Sequence, residues 1–304
     1  MKLSTTKSAV LALIIANIIW GAAPPIFKWS LNDVGPFTLA FLRFAIAALI
    51  FLPITWGQYK IEKRDFLKMF LVAILGITVN ITFFFYGLKL GSSINASIIG
   101  SAGPVFIVLG SFLFLKEKPK KKFMLGASIG LLGVLFMVLF PFFRDGFTSK
   151  LSSIGNIYHI LAVLGSVGQT IIARGILKKY LATTVTFWSF TIGAVSFLPF
   201  FAYEVMHVGF LPHLTSQGAT GIIFGAFLSS ALAFYLFYYA LRYLPAADVS
   251  IFVYIDPVIT VLIAIPLLGE IPDLTFIIGA ILVFGGIFIG EGRLHWHPLH
   301  RLKD

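Results

Sequence analysis

The sharpest candidate for chemistry in this chain is an acid. Asp256 stands in VYIDPVIT (253–260), with long apolar runs on both sides. At the centre of a bilayer a charged side chain costs at least about 2.5–3.5 kcal/mol on insertion scales, so one placed there points to function by default. Such a carboxylate suits proton coupling or the gripping of a substrate cation. The competing reading is structural. Pro257 deletes the backbone donor that would bond the carbonyl of Val253, and Asp256 then satisfies a freed donor or pairs with Arg43. Arg43 lies about two turns inside its apolar segment, where a long basic side chain can snorkel or bond to helix ends. The expectation for it is a structural or gating role.

The other polar candidates fall on helical faces. Asn17, Trp20, Gly21 and Pro24 recur at i, i+3, i+4 and i+7, one face that should point inward, and Pro24 with Pro25 would bend its outer end. Tyr235 and Tyr239 stack at i, i+4, and a buried tyrosine hydroxyl wants a partner. Tyr86, near a helix end like Tyr239, fits an aromatic belt as well as a cavity. Ser97, Ser101 and Pro104 share a face, as do Ser250, Tyr254 and Pro257. Asn80 and Gln169 complete the set expected to bind substrate. Tyr254 and Asp256 are about 200° apart on a helix, so both cannot point squarely into one cavity.

The elements that must position these residues are membrane helices. Of 304 residues 59% are hydrophobic and 12% charged, about half the charge of a soluble domain. Ten apolar stretches fit transmembrane helices at 8–28, 36–56, 67–88, 93–115, 122–143, 154–174, 183–203, 218–241, 246–269 and 273–291. The first is too long for a cleavable signal peptide and lacks a small-residue cleavage site. An absence of cysteine excludes disulfides, thiolate metal sites and thiol catalysis. Eighteen of the 23 Lys and Arg lie on one side, and four (Lys28, Lys89, Arg144 and Lys150) on the other. Both termini are therefore expected in the cytoplasm, in a cell (inner) membrane. Basic loops facing anionic headgroups account for the net charge of +11 without nucleic acid.

The sequence also repeats. A shift of 153 positions carries Pro104 onto Pro257, Val105 onto Val258, Glu117 onto Glu270, Tyr86 onto Tyr239 and Gly126 onto Gly279. A shift of 146 aligns the earlier parts, FLP (51–53) on FLP (197–199). Five helices per half make the second half enter the membrane from the opposite side. The charges agree: KEKPKKK (116–122) is rich in lysine, and its partner GEIPDLT (269–275) has none. Inverted repeats are the architecture of secondary transporters, with the substrate near the midplane. The expected organisation is a first repeat over 8–143 and an inverted second over 154–291. Glycines 126, 130 and 133, with 279, 286 and 290, should pack within the monomer.

With IIWGAAPP (18–25), FLRFAIAAL (41–49) and the doubled P-V…E pattern, the chain resembles the drug/metabolite transporter superfamily, specifically its EamA-type members. The resemblance implies transport of amino acids or other small metabolites, with export leading. It also implies a central cavity lined by helices 1, 3, 4, 6, 8 and 9, with 5 and 10 at the back. A membrane enzyme would need HExxH, paired intramembrane aspartates or an activated serine or lysine, and the chain offers one deep acid, no deep lysine and His159 near a helix start. His295, His297 and His300 read as an interfacial tail rather than a metal site, and no cofactor is expected. Strongly anionic cargo would call for several cavity cations, and only Arg43 is available. An amino acid, aromatic or large and apolar, is the expected substrate. Proton-coupled alternating access is the expected mechanism, with a uniporter, a multidrug carrier of the same fold, or a channel or scaffold as alternatives. Monomer and homodimer both remain open.

Overall fold

A computed structural model describes residues 5–106, 121–145, 150–208 and 214–291. Among them the chain is helical throughout: α1 (Thr5–Ser30), α2 (Pro36–Ile54), α3 (Lys63–Leu90), α4 (Ser93–Gly100), α5 (Lys121–Asp145), α6 (Lys150–Ile176), α7 (Ala182–Val208), α8 (Ser216–Tyr243), α9 (Ile255–Leu268) and α10 (Leu274–Glu291). Seven described helices are long and apolar enough to cross a membrane, and shorter apolar stretches at Ser128–Phe140 and Leu274–Gly286 belong to α5 and α10. The histidines of the tail and Glu117 lie outside the described residues.

Local chemistry fixes several helix ends. Pro36 opens α2 with its φ already set, and the Glu204 carboxylate accepts from the Thr38 amide in that first turn. Asp33 does the same for α8, accepting from the amides of Thr215 and Gly218. Gly269, at φ +65°, closes α9 in the left-handed conformation that costs glycine least.

Two predicted helices are discontinuous. The segment predicted as 93–115 stops at Gly100, turns at 101–102 and resumes at 103–106. The segment predicted as 246–269 runs as a short helix (Ala246–Ser250), a 3-10 turn (Ile251–Tyr254) and then α9. The cause is shared, since Pro104 and Pro257 lack the amides that would bond the carbonyls of Gly100 and Val253. A second paired irregularity is a π-helical stretch in each half, Ile74–Val79 in α3 and Phe224–Leu232 in α8, which the 153-residue shift superposes in sequence. Such stretches cluster at functional sites.

The repeats are inverted, and helix contacts show it. On α5 and α10, a Cβ on Gly133 would meet Leu282 and Gly279, while one on Gly286 would meet Gly126 and Gly130. Rising numbers on one helix meet falling numbers on the other, so these equivalent helices run antiparallel. The glycine faces therefore pack within the monomer, backbone against backbone. Helices α2 and α7 are antiparallel too: Phe37 stacks on Phe200, Phe44 on Phe197, and Phe51 meets Phe190 edge-on. Among the described residues the protein is an all-α membrane protein built as two inverted repeats, with seven clear apolar spans and shorter apolar helices beside them.

Candidate functional site

Between the repeats lies a cavity of about 240 Å³, within reach of a small metabolite. Its wall comes from α1, α3, α4, α6, α8 and the broken start of α9, with Arg43 added from α2, whereas α5 and α10 pack on each other away from it.

The wall is built twice. Asn17, Trp20, Ala23 and Pro24 of α1 correspond through the 146-residue shift to Val163, Ser166, Gln169 and Thr170 of α6. Through the 153-residue shift, Gly76, Ile81 and Phe84 of α3 correspond to Ser229, Phe234 and Phe237 of α8. Ala96, Ser97, Gly100 and Gly103 correspond to Val249, Ser250, Val253 and Asp256 in the same way. All of these line the cavity, so the scaffold is two-fold while the polar chemistry is not. Asp256 corresponds to Gly103, Arg43 to Ser189, Asn80 to Ala233, and His159 to Leu13.

Each departure from symmetry is held in a defined way. Arg43 is 1% exposed; its Nε donates to Ser230 Oγ at 2.9 Å and its Nη2 to Ser229 Oγ at 3.1 Å. The guanidinium lies over the rings of Phe27 and Phe44, at 4.6 and 4.7 Å from their centroids, and Gly225 leaves room for its stem. Its Nη1 has no partner among the described residues. Gln169 folds over Gly76 and donates to the buried Tyr238 hydroxyl at 2.6 Å. Asn80 donates to the Ala162 carbonyl, Trp20 to that of Ser229, and Asn17 back to that of Leu13.

Asp256 lies where α1 and α9 cross. A Cβ on Gly21 would come within 2.9 Å of the Asp256 backbone, and Thr260 donates to the Gly21 carbonyl at 2.6 Å. Oδ1 of Asp256 is buried without a partner among the described residues. Arg43 bonds to the α8 serines rather than to this carboxylate.

Of the residues singled out from sequence, Asn17, Trp20, Pro24, Arg43, Asn80, Ser97, Pro104, Gln169 and Asp256 line the cavity. Tyr86, Ser101, Tyr235, Tyr239, Tyr254, Pro25 and Pro257 do not. Tyr254 packs edge-on against Phe284 of α10, so α9 turns Asp256 inward and Tyr254 away. Tyr235 meets Phe51, Tyr239 meets Tyr243 and Tyr86 meets Phe37. Ser101 is buried and donates to the Ser97 carbonyl. The lining face of α8 runs between Phe234 and Phe237, about 130° from Tyr235. With apolar residues all round the helix, nothing in the sequence separates the two faces. His159, Ser229 and Tyr238 were not among the expected site residues; comparing His159 with Leu13 across the repeats would have exposed the first.

At the Lys28 end of α1 a polar knot ties α1 to the start of α4 and to the turn after α9. Lys28 Nζ donates to Glu270 Oε1 and to the Gly91 carbonyl, both at 2.6 Å. The same carboxylate accepts from Ser92 Oγ at 2.8 Å, Ser93 Oγ at 2.7 Å, and the amides of Ser93 and Ile94 at 3.2 Å. Glu270 thus sits on the N-terminus of α4, where orphan amides favour an anion. Burial works against its charge, but Lys28 and the serine hydroxyls outweigh that and hold the carboxyl below the ordinary glutamate range. At the opposite end the repeat counterpart of Lys28, Arg174, donates to the carbonyls of Leu241 and Arg242.

Among the described residues no group of three or more His, Asp or Glu could hold a metal.

The EamA-like transporter family matches residues 7–139 and again residues 153–290. The chain belongs to the EamA-like transporter family. It is similar to two uncharacterized transporters of Archaeoglobus fulgidus, at 28% identity over 290 residues (94% of this chain, 98% of the relative) and 30% over 287 residues (93% and 98%). The uncharacterized transporter YetK of Bacillus subtilis is 27% identical over 287 residues, covering 92% of this chain and 86% of its own. A crystal structure at 19% identity superposes with a TM-score of 0.66 over 97% of this chain and 99% of the other, which shows a shared fold. The EamA-like chain is thus a multi-pass membrane transporter, with a small molecule as its substrate.

Proposed function

We propose that the protein is a secondary transporter of amino acids in the cell (inner) membrane. It works by alternating access about the central cavity, with both termini cytoplasmic and export as the direction. The observation that carries the reading is the pairing, on one apolar wall, of an incompletely bonded guanidinium (Arg43) with an incompletely bonded carboxylate (Asp256). Arg43 is buried and Asp256 half-buried with Oδ1 enclosed, and two incompletely bonded groups of opposite charge match the two ends of a zwitterion. Trp20, Phe27, Phe84, Phe234 and Phe237 then suit an apolar or aromatic side chain. Inverted repeats, two discontinuous helices on the cavity wall and paired π-helical stretches support the mechanism, since such devices let a repeat rock around a fixed site.

In this account Asp256 takes either a proton or the substrate ammonium, and Arg43 takes the carboxylate as well as bracing α2 on α8. The Lys28–Glu270 knot is the outer gate, closed here. Among the described residues the wall offers binding groups and no hydrogen-bonded nucleophile–base pair, which favours transport over catalysis.

The test is uptake of radiolabelled amino acids into proteoliposomes. Saturable flux of an apolar or aromatic amino acid is expected, and absence of flux for every amino acid would refute the substrate assignment.

A further inference from the structure

His159 lines the same cavity, 1% exposed, and neither ring nitrogen has a hydrogen-bond partner among the described residues. Its place in the fold does not require a polar group, because the equivalent position of the first repeat is Leu13, which is fully buried. An imidazole always carries at least one N–H. Burying it unpaired carries a desolvation cost that a leucine avoids. The surroundings are shaped to receive the ring: a Cβ on Gly87 would come within 2.5 Å of its Cε1, and Phe84 lies beside it with centroids 6.0 Å apart. Gly87 is one turn of α3 from Gly91, whose carbonyl holds Lys28. The imidazole therefore lies toward the outer gate, and Asp256 at the level of Gly21.

We infer that His159 is a specificity-determining residue of the cavity, contacting an uncharged group of the cargo that both donates and accepts a hydrogen bond, a hydroxyl above all. A neutral imidazole offers one N–H and one lone pair, which a hydroxyl satisfies together. Charged groups of the cargo have Arg43 and Asp256 to meet them, which leaves the imidazole to read the side chain. This rests on the amino-acid reading above for its choice of probes. A site built to bond a hydroxyl discriminates strongly against the analogue lacking it, because the protein group is then left unpaired.

The experiment compares kcat/KM for pairs that differ by one hydroxyl (tyrosine with phenylalanine, threonine with 2-aminobutyrate) in the native protein, His159→Gln and His159→Phe. The native protein should favour the hydroxylated member at least about 10-fold. His159→Gln, whose amide also donates and accepts, should retain much of that preference, and His159→Phe should abolish it by slowing the hydroxylated member alone. An equal loss for both members, or no preference in the native protein, overturns the inference. If no amino acid is moved at all, the substrate reading falls by itself. Position 159 is then decided by His159→Cys, unique in a chain without cysteine. Its reaction with methanethiosulfonate ethylammonium in folded protein supports a residue facing the cavity, and an unreactive thiol overturns it.

Discussion

Neutralising Glu270 should open the outer gate proposed for the Lys28–Glu270 knot. Its carboxylate receives five donors, two of them on Oε1 (Lys28 Nζ and the Ser93 amide) and three on Oε2 (Ser92 Oγ, Ser93 Oγ and the Ile94 amide). In Glu270→Gln one oxygen becomes an NH2. Turned one way it confronts the Lys28 ammonium; turned the other it confronts three donors. Either arrangement loses a charge-assisted bond, each worth about 1.5–3 kcal/mol when its partner is partly buried. Taking ~2 kcal/mol, since Lys28 keeps the Gly91 carbonyl and some water, the ratio of closed to open gate should fall about 30-fold. The assay is labelling of Ser97→Cys, a cavity position, by a membrane-impermeant maleimide added outside intact cells. Labelling should be slow in the otherwise native protein and rise about 30-fold with Glu270→Gln. Equal rates in the two proteins would refute the reasoning. External pH should act through the same group. Because the carboxyl is held below the ordinary glutamate range, the knot is intact at neutral pH and is lost only in acid, as pH falls through that lowered value.

Three further outcomes follow from close contacts. Gly133→Ala would bring a Cβ within 2.9 Å of the Gly279 carbonyl on a backbone that cannot yield, so the melting temperature in detergent should fall, at a cost of about 1–3 kcal/mol. Gly21→Ala should force α1 from α9 at Asp256 and slow flux much more than it lowers thermal stability, as measured on the same preparation. Arg43→Lys cannot hold Ser229 and Ser230 with one fork, and flux should fall about 10-fold or more, read as kcat/KM in proteoliposomes.

Much of this architecture was legible because membrane sequences are strongly constrained. Twenty-residue apolar runs located the helices, and matched Pro104 with Pro257 and Glu117 with Glu270 exposed the repeat. Opposite charge in KEKPKKK and GEIPDLT exposed the inversion. Helix rotation was harder to read. A lipid-facing and a cavity-facing phenylalanine look alike in sequence, so the pattern does not distinguish the cavity-lining Phe234 and Phe237 from their neighbours Tyr235 and Tyr239. Long-range polar partners were invisible for a different reason: Ser229 and Ser230 are small residues of no special pattern until Arg43, 186 and 187 positions earlier, reaches them. The choice between Tyr254 and Asp256 needed only the helix phase, and the packing of Tyr254 on Phe284 supplied it.

The central claim is that Asp256 couples transport to a proton or a substrate cation, and flux in proteoliposomes with and without an imposed pH gradient tests it most directly. The account predicts saturable, gradient-driven transport in the native protein and flux indifferent to the gradient, or lost, in Asp256→Asn. An Asp256→Asn protein that transports and responds to the gradient as the native one does would contradict it.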